Sequence, residues 1–246
     1  METRHQKKGP RLYVEDDLRA SHHIALTEDQ YHYLLTVLRQ KEGDTICLFN
    51  GREGEWRATL QPLSKKKMVA VCEEKIRDQP ESSSLWLVFS PLKKHRQDLL
   101  VEKATELGVT HLVPGTLRYT NMTSFNEDKV RAQTIEAAEQ CERLSVPEIR
   151  PLIKLEAILK EWPTGRVLYV ALERSSPKRL LKEVLDPQKD AGFLIGPEGG
   201  FAPDEVALLE RYPFVKFFSL GPLILRAETA AILCVGLYAQ LKLSCV

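Results

Sequence analysis

The stretch that most restricts the fold is the last quarter of the chain, residues 193–241. It reads Phe-Leu-Ile-Gly-Pro-Glu-Gly-Gly-Phe, then a short helical pattern, then Phe-Phe-Ser-Leu-Gly-Pro-Leu-Ile-Leu-Arg-Ala-Glu-Thr-Ala-Ala. Two apolar strands each run straight into a glycine-rich loop, and a helical pattern follows each loop. In an α/β sheet that order puts both loops at carboxyl ends of strands, where ligands bind. Glycines at 196, 199, 200 and 221 let the backbone approach a ligand, and Pro197 and Pro222 stiffen the same loops by fixing φ. Glu198, Arg226 and Glu228 stand at the rim of the pocket so formed.

The same grammar extends upstream to residue 85. Leu85–Phe89, His111–Pro114, Val167–Ala171, Phe193–Ile195 and Val215–Ser219 read as strands. Helical periodicity is expected over Gln97–Leu107 with Leu99, Leu100, Lys103, Ala104 and Leu107 on one face. A second helix runs from a cap at Ser124–Glu127 to about Leu144, with Val130, Thr134, Ala137, Ala138 and Cys141 inward. Further helices are expected over Lys178–Leu185, from Pro203, and over Ala227–Leu241. Strand alternating with helix means a parallel sheet.

Residues 10–76 follow different rules. Arg11–Val14, Ile46–Phe49, Trp56–Leu60 and Met68–Val71 are short strands. Thr27-Glu-Asp-Gln30 is a capping box that opens a helix carrying Tyr31, Leu34, Leu35 and Leu38 on one face. Asn50-Gly51 and Glu53-Gly54 mark a hairpin connection. The expected division is a small β-barrel domain at 1–76, a polar linker at 77–84 and an α/β domain at 85–246.

Composition narrows the function. The chain has 246 residues and a net charge of +1, so any nucleic-acid surface must be a local patch. Five scattered cysteines form no Cys-x-x-Cys pair, which argues for a reducing cytoplasm and against structural zinc. The six histidines lack metal-ligand spacing, so no metal is expected. The charged N-terminus has no apolar core behind it and is no signal peptide. The phosphate-binding Gly-x-x-x-x-Gly-Lys-Ser/Thr and Gly-x-Gly-x-x-Gly loops and the Gly-x-Ser-x-Gly nucleophile elbow are all missing.

The motifs do match a known family. Leu-Ile-Gly-Pro-Glu-Gly-Gly at 194–200 and Leu-Gly-Pro-x-Ile-Leu-Arg-x-Glu-Thr at 220–229 occur with Glu102–Val109, Glu139-Gln140-Cys141 with Arg143, and Val146-Pro147-Glu148-Ile149. Together they resemble the RsmE family of ribosomal RNA methyltransferases, within the SPOUT class. The resemblance implies an α/β C-terminal domain with a trefoil knot and mostly parallel sheet, a PUA-like N-terminal barrel and a homodimer. It also implies S-adenosyl-L-methionine as methyl donor and N3 of a uridine in 16S ribosomal RNA as acceptor. Three departures stand out: Leu223 where the family usually has arginine, Ala227 often where it has threonine, and Leu117–Asn121 in place of a Glu-Arg-Ser-like run.

Methyl transfer asks the protein mainly to position donor and acceptor in line. The expected cofactor pocket comprises Leu172, Ile195, Gly196, Pro197, Glu198, Gly200, Ser219, Leu220, Gly221, Ile224, Leu225 and Arg226, partly through backbone atoms. The catalytic candidates are Arg226 and Glu198. Arg226 has two readings, a structural pairing with Glu198 or Glu228, or a functional role in contacting the RNA phosphate or stabilising a uracil losing its N3 proton. Glu198 has two as well, a base or a cap on loop N–H groups. Arg11, Arg39, Lys93, Lys94 and Arg96 are expected on RNA, while Lys65-Lys66-Lys67 reads either as a solvated turn or as an RNA contact. Ribose 2′-O methylation, or an RNA-binding assembly factor without activity, are the alternatives.

Overall fold

Period-two apolar residues build the sheet of the N-terminal unit. The computed structural model describes residues 9–64, 67–81, 84–122, 124–172 and 179–244. The chain divides into two units, Met1–Glu81 with Ala138–Val146, and Ser82–Ala137 with Pro147–Val246. The segment 138–146, expected in the second domain, thus belongs with the first. In the first unit β1 (Arg11–Tyr13), β2 (His23–Ala25), α1 (Glu28–His32), β3 (Thr45–Phe49), β4 (Glu55–Ser64) and β5 (Lys67–Arg77) follow in chain order. The sheet order is β1-β3-β4-β5-β2, with β1 parallel to β3 and the other pairs antiparallel. Lys65 and Lys66 lie outside the described residues.

Ile46 and Leu48 of β3 join Ala58, Leu60, Ala70 and Cys72 in one buried cluster. Phe49 joins another, with Ala138 and Leu144, which explains why 138–146 groups with this unit. Thr27 and Gln30 form the expected capping box: each backbone N–H donates to the other's side-chain oxygen, at 3.0 and 3.2 Å. The helix is shorter than its periodicity indicates. After one turn it widens into a π-turn at Tyr33–Val37, and Arg39 has a φ of 57°.

A buried charge network ties this unit together. Glu55 is fully buried and accepts from Arg11 Nε at 2.5 Å and from Arg77 Nη1 at 3.3 Å. Arg11 also donates to the backbone carbonyls of Ala138, Glu139 and Arg143 at 2.8–2.9 Å. It therefore closes the carboxyl end of the helix that terminates at Gln140.

The second unit contains β6 (Leu85–Phe89), α2 (Lys94–Glu106), β7 (His111–Thr116), α3 (Glu127–Gln140, whose end passes into the first unit), β8 (Glu148–Ile149), β9 (Ile153–Lys154) and α4 (Leu155–Lys160). It continues with β10 (Val167–Ala171), α5 (Leu181–Val184), β11 (Ala191–Ile195), α6 (Pro203–Leu209), β12 (Val215–Phe218) and α7 (Ala227–Leu243). The order is β12-β10-β11-β6-β7-β8, with β9 also on β7, and every pair is parallel. Side chains alternate between two helical layers. Leu85, Leu87, Phe89, Phe193 and Ile195 meet α2, α5 and α7, while Val88, Leu168, Val170 and Leu194 meet α4 and α6. Tyr238 of α7 donates to the carbonyl of Lys189 at 2.9 Å. Burial pushes its phenol up to about 12.

Several local expectations need correcting. Leu99 is exposed, and the buried stripe of α2 is Leu100, Val101, Ala104 and Thr105. The cap of α3 is Asn126, whose Oδ1 accepts from Lys129 N at 2.8 Å, and Glu142 with a φ of 59° follows the helix end, leaving Cys141 exposed. Only Leu181–Val184 is helical in the stretch expected from Lys178, because Leu180 bridges to Ser219 as a strand residue. Lys178 itself lies outside the described residues. β8, β9 and α4 had no counterpart in the sequence reading. Among the described residues no helix is long and apolar enough to cross a membrane.

Glu55→Ala leaves Arg11 buried without its counter-ion. Such a loss costs about 3–5 kcal/mol. Denaturant unfolding should show it as a lower midpoint for the N-terminal unit; a loss below about 1 kcal/mol would mean that the pair contributes little.

Candidate functional site

Parallel pairing sends every carboxyl end of the second sheet to one edge. There the chain leaves β12 at Ser219, β10 at Leu172, β11 at Gly196, β6 at Ser90 and β7 at Leu117. β12, β10 and β11 are neighbours, so the 219–226 loop, Leu172 and the 196–200 loop emerge side by side. Leu172 N donates to Phe218 O at 3.0 Å, fastening two of these exits together.

The first glycine loop turns tightly. Gly200 N donates to Pro197 O at 2.8 Å, and Gly200 has a φ of 74°. A Cβ at Gly196 would press on the ring of Phe201 at 3.0 Å, so this glycine serves packing as well as approach. Ile195 and Pro197 are buried, whereas Glu198 and Gly199 are exposed. The second loop is organised around Ser219, whose Oγ accepts from Gly221 N at 3.2 Å. Gly221 has a φ of 112°, and a Cβ there would enter open space. Leu220 and Leu225 are half-buried, while Leu223 and Ile224 are 75% and 67% exposed. Large apolar side chains held in water on a shaped loop indicate a surface that something apolar covers.

The charged groups rearrange the expected pairings. Arg226, at the N-cap of α7, is exposed, and its side chain makes no ion pair or hydrogen bond among the described residues. The pairing role weighed for it falls to Arg96 instead. Arg96 Nη1 donates to Glu198 Oε1 at 2.8 Å, and its Nε lies 3.8 Å from Glu228 Oε1. Arg96, expected on RNA, is thus a brace between α2, the first glycine loop and α7. Glu198 is thus paired through one of its two carboxylate oxygens. Glu228 is buried, with Oε2 unpartnered among the described residues. Lys93 and Lys94 are exposed at the amino end of α2. Cations there oppose the helix dipole, and an incoming anion relieves the repulsion.

Two other expected RNA contacts lie in the N-terminal unit. Arg39 is exposed. Arg11 is 8% exposed and committed to Glu55 and three carbonyls, so it is a structural arginine and not an RNA contact. Glu205 is not among the expected site residues. Its buried carboxylate accepts from Arg118 N at 2.8 Å and from Ala202 N at 2.9 Å, joining the loop after β7 to the start of α6. A carboxylate in the first turn after Pro203 was legible, but its long-range partner was not. Burial raises the proton affinities of Cys234 and Tyr238 in the core and lowers that of His111 at the opposite edge. Among the described residues no cluster of His, Cys, Asp or Glu could hold a metal.

Comparison with known proteins gives this geometry a context. A family model for an RNA methyltransferase domain matches residues 79–239, and one for an RNA methyltransferase PUA domain matches residues 26–72. The chain is 34% identical over 239 residues to the ribosomal RNA small subunit methyltransferase E of Rickettsia conorii, covering 96% of both. Against the protein of that name from Buchnera aphidicola the identity is 30% over 243 residues, covering 93% of this chain and 92% of that one. A solved ribosomal RNA small subunit methyltransferase E from Neisseria gonorrhoeae, bound to S-adenosyl methionine, is similar with a TM-score of 0.85. Its identity is 26%, covering 95% of this chain and 98% of that one.

Glu205→Ala removes the acceptor of two backbone amides. An orphaned buried donor costs about 1–3 kcal/mol. Amide hydrogen exchange at Arg118 and Ala202 should accelerate together; exchange unchanged at both would show that Glu205 does not hold these loops.

Proposed function

This chain belongs to the family of ribosomal RNA small subunit methyltransferase E, and we propose that it transfers a methyl group from S-adenosyl-L-methionine to N3 of a uridine in 16S ribosomal RNA. The observation that carries the reading is the convergence of the two glycine loops and Leu172 at the carboxyl edge, where Gly221 holds a positive φ beside open space. That open space leaves room for an adenosine bound through backbone N–H and C=O groups. The lining would be Leu172, Ile195, Gly196, Pro197, Gly200, Ser219, Leu220, Gly221, Ile224 and Leu225. The cofactor, when bound, supplies a methyl carbon already made electrophilic by its sulfonium.

The chain's own residues do the rest. Arg226 is exposed and uncommitted, so its guanidinium can stabilise the negative charge on uracil as the N3–H bond breaks. Arginine stays protonated and is a poor base, so the proton leaves to water or to a carboxylate at the rim. Lys93 and Lys94 suit the phosphate backbone, and exposed Arg39 offers a phosphate contact from the N-terminal unit. The site lies in the cytoplasm on this reading, where ribosomal RNA resides.

We further propose a homodimer built on the C-terminal unit. α7 buries Ala230, Ala231, Cys234, Val235 and Tyr238 against its own core, yet Leu233 is 45% exposed on another face, and Leu99 of α2 is 42% exposed. An apolar helix with more than one apolar face fits a partner subunit.

Methylation of small-subunit RNA followed by mass spectrometry of nucleosides should yield 3-methyluridine. A methylated ribose in its place would favour 2′-O chemistry, and the absence of product and of cofactor binding would leave an assembly factor. Gly221→Val should abolish cofactor binding by calorimetry, since valine at that φ is strained and its branch enters the cradle. Sedimentation at micromolar concentration should give twice the chain mass, and a fully active monomer would end the dimer proposal.

A further inference from the structure

We propose that the loop at residues 117–121 receives an unpaired nucleobase of the RNA, with Tyr119 as the stacking surface. The inference rests on the reading of the chain as an RNA methyltransferase and adds the substrate side of its site. It concerns the loop in which this chain departs from the family pattern.

The loop leaves β7 on the same edge as the glycine loops, and its backbone is tied down. Leu117 N donates to Thr120 Oγ1 at 2.8 Å, and that hydroxyl also bonds Ser90 Oγ at 2.7 Å. Arg118 N is held by Glu205 at 2.8 Å. The side chains behave oppositely. Those of Arg118, Tyr119 and Asn121 are exposed and make no hydrogen bond, ion pair or ring contact among the described residues. Tyr119 is 46% exposed. With Thr120 and Gly199 these residues line an open depression of about 470 Å³. A Cβ at position 199 would come within 2.8 Å of Tyr119 Cβ and 3.2 Å of its Cγ, so the glycine makes room for the ring.

A fixed backbone that presents a free aromatic ring, a guanidinium and an amide is suited to single-stranded RNA. The ring offers a π-face to a base, the guanidinium a charge to a phosphate, and the amide a donor and an acceptor to a base edge. The ordered backbone also lowers the entropy cost of binding. Because Gly199 lines both the depression and the first glycine loop, a base seated on Tyr119 lies next to the proposed cofactor cradle.

The test uses the full-length protein and fluorescence anisotropy with a single-stranded oligouridylate and a duplex RNA of equal length, without cofactor. Tyr119→Ala should weaken single-strand binding by about 5- to 100-fold and leave duplex binding and the salt slope alone. Tyr119→Phe should retain affinity, because the π-face remains. Tyr119→Leu, which preserves bulk beside Gly199, should behave like alanine. Arg118→Ala should lower the salt slope by about one. In methylation, Tyr119→Ala should raise KM for RNA with the affinity for S-adenosylmethionine unchanged. Unchanged single-strand binding in Tyr119→Ala, or a Tyr119→Phe as weak as alanine, would overturn the proposal. So would a loss confined to S-adenosylmethionine affinity, which would make Tyr119 a brace for the glycine loop. A chain that grips RNA through Tyr119 but methylates nothing would sustain this inference and refute the activity assigned above.

Discussion

The parallel pairing of the second sheet is the constraint on which the site depends. β10, β11, β12, β6 and β7 all point one way, so every loop that follows a strand lands on the same edge. An antiparallel neighbour anywhere among them would send its loop to the opposite side. The order also matters, because chain connectivity alone does not make β12, β10 and β11 neighbours. The second glycine loop therefore meets Leu172 and the first glycine loop only through the strand order of the folded sheet. This SPOUT-type α/β architecture brings two short glycine-rich turns, separated by about one helix and one strand, to neighbouring exits on one edge.

That edge combines locked backbone with unspent side chains. Glu205 holds two amides, Ser90 and Thr120 share a hydrogen bond, and Arg96 spans Glu198 and Glu228. Against this frame Arg226, Tyr119, Leu223 and Ile224 remain exposed. In an ordinary surface loop such apolar and charged groups would find nearby partners or be replaced by polar ones. Rigid loops carrying uncommitted groups are what a site needs when its chemistry is mostly positioning.

The PUA-like N-terminal unit spends its arginines differently. Arg11 and Arg77 neutralise Glu55, and Arg11 goes on to cap three carbonyls of the 138–146 segment. A buried carboxylate needs such compensation, since an unpaired charge in the interior is far costlier than a surface one. Arg11 is among the basic residues expected on RNA. What decides its role is a carboxylate 44 residues away, and nothing local in the sequence marks that partner.

The sequence by itself determined the elements whose signals are local. The capping box at Thr27 and Gln30, the proline start of α6, the apolar strands and the glycine loops all follow from short-range sterics and hydrogen bonding, and each was legible from spacing. Helix ends were less so. The early stop of α3, where Arg11 takes nearby carbonyls, and the single turn of α5, where Leu180 pairs with Ser219, reflect tertiary partners overriding propensity. Only the tertiary structure decided which carboxylates meet Arg96, that segment 138–146 packs with the first unit, and that Glu205 pins a loop 87 residues earlier. These are pairings between distant positions. A hydrogen bond or ion pair across the fold leaves no period in the sequence, because its geometry exists only once the sheet has brought both ends together.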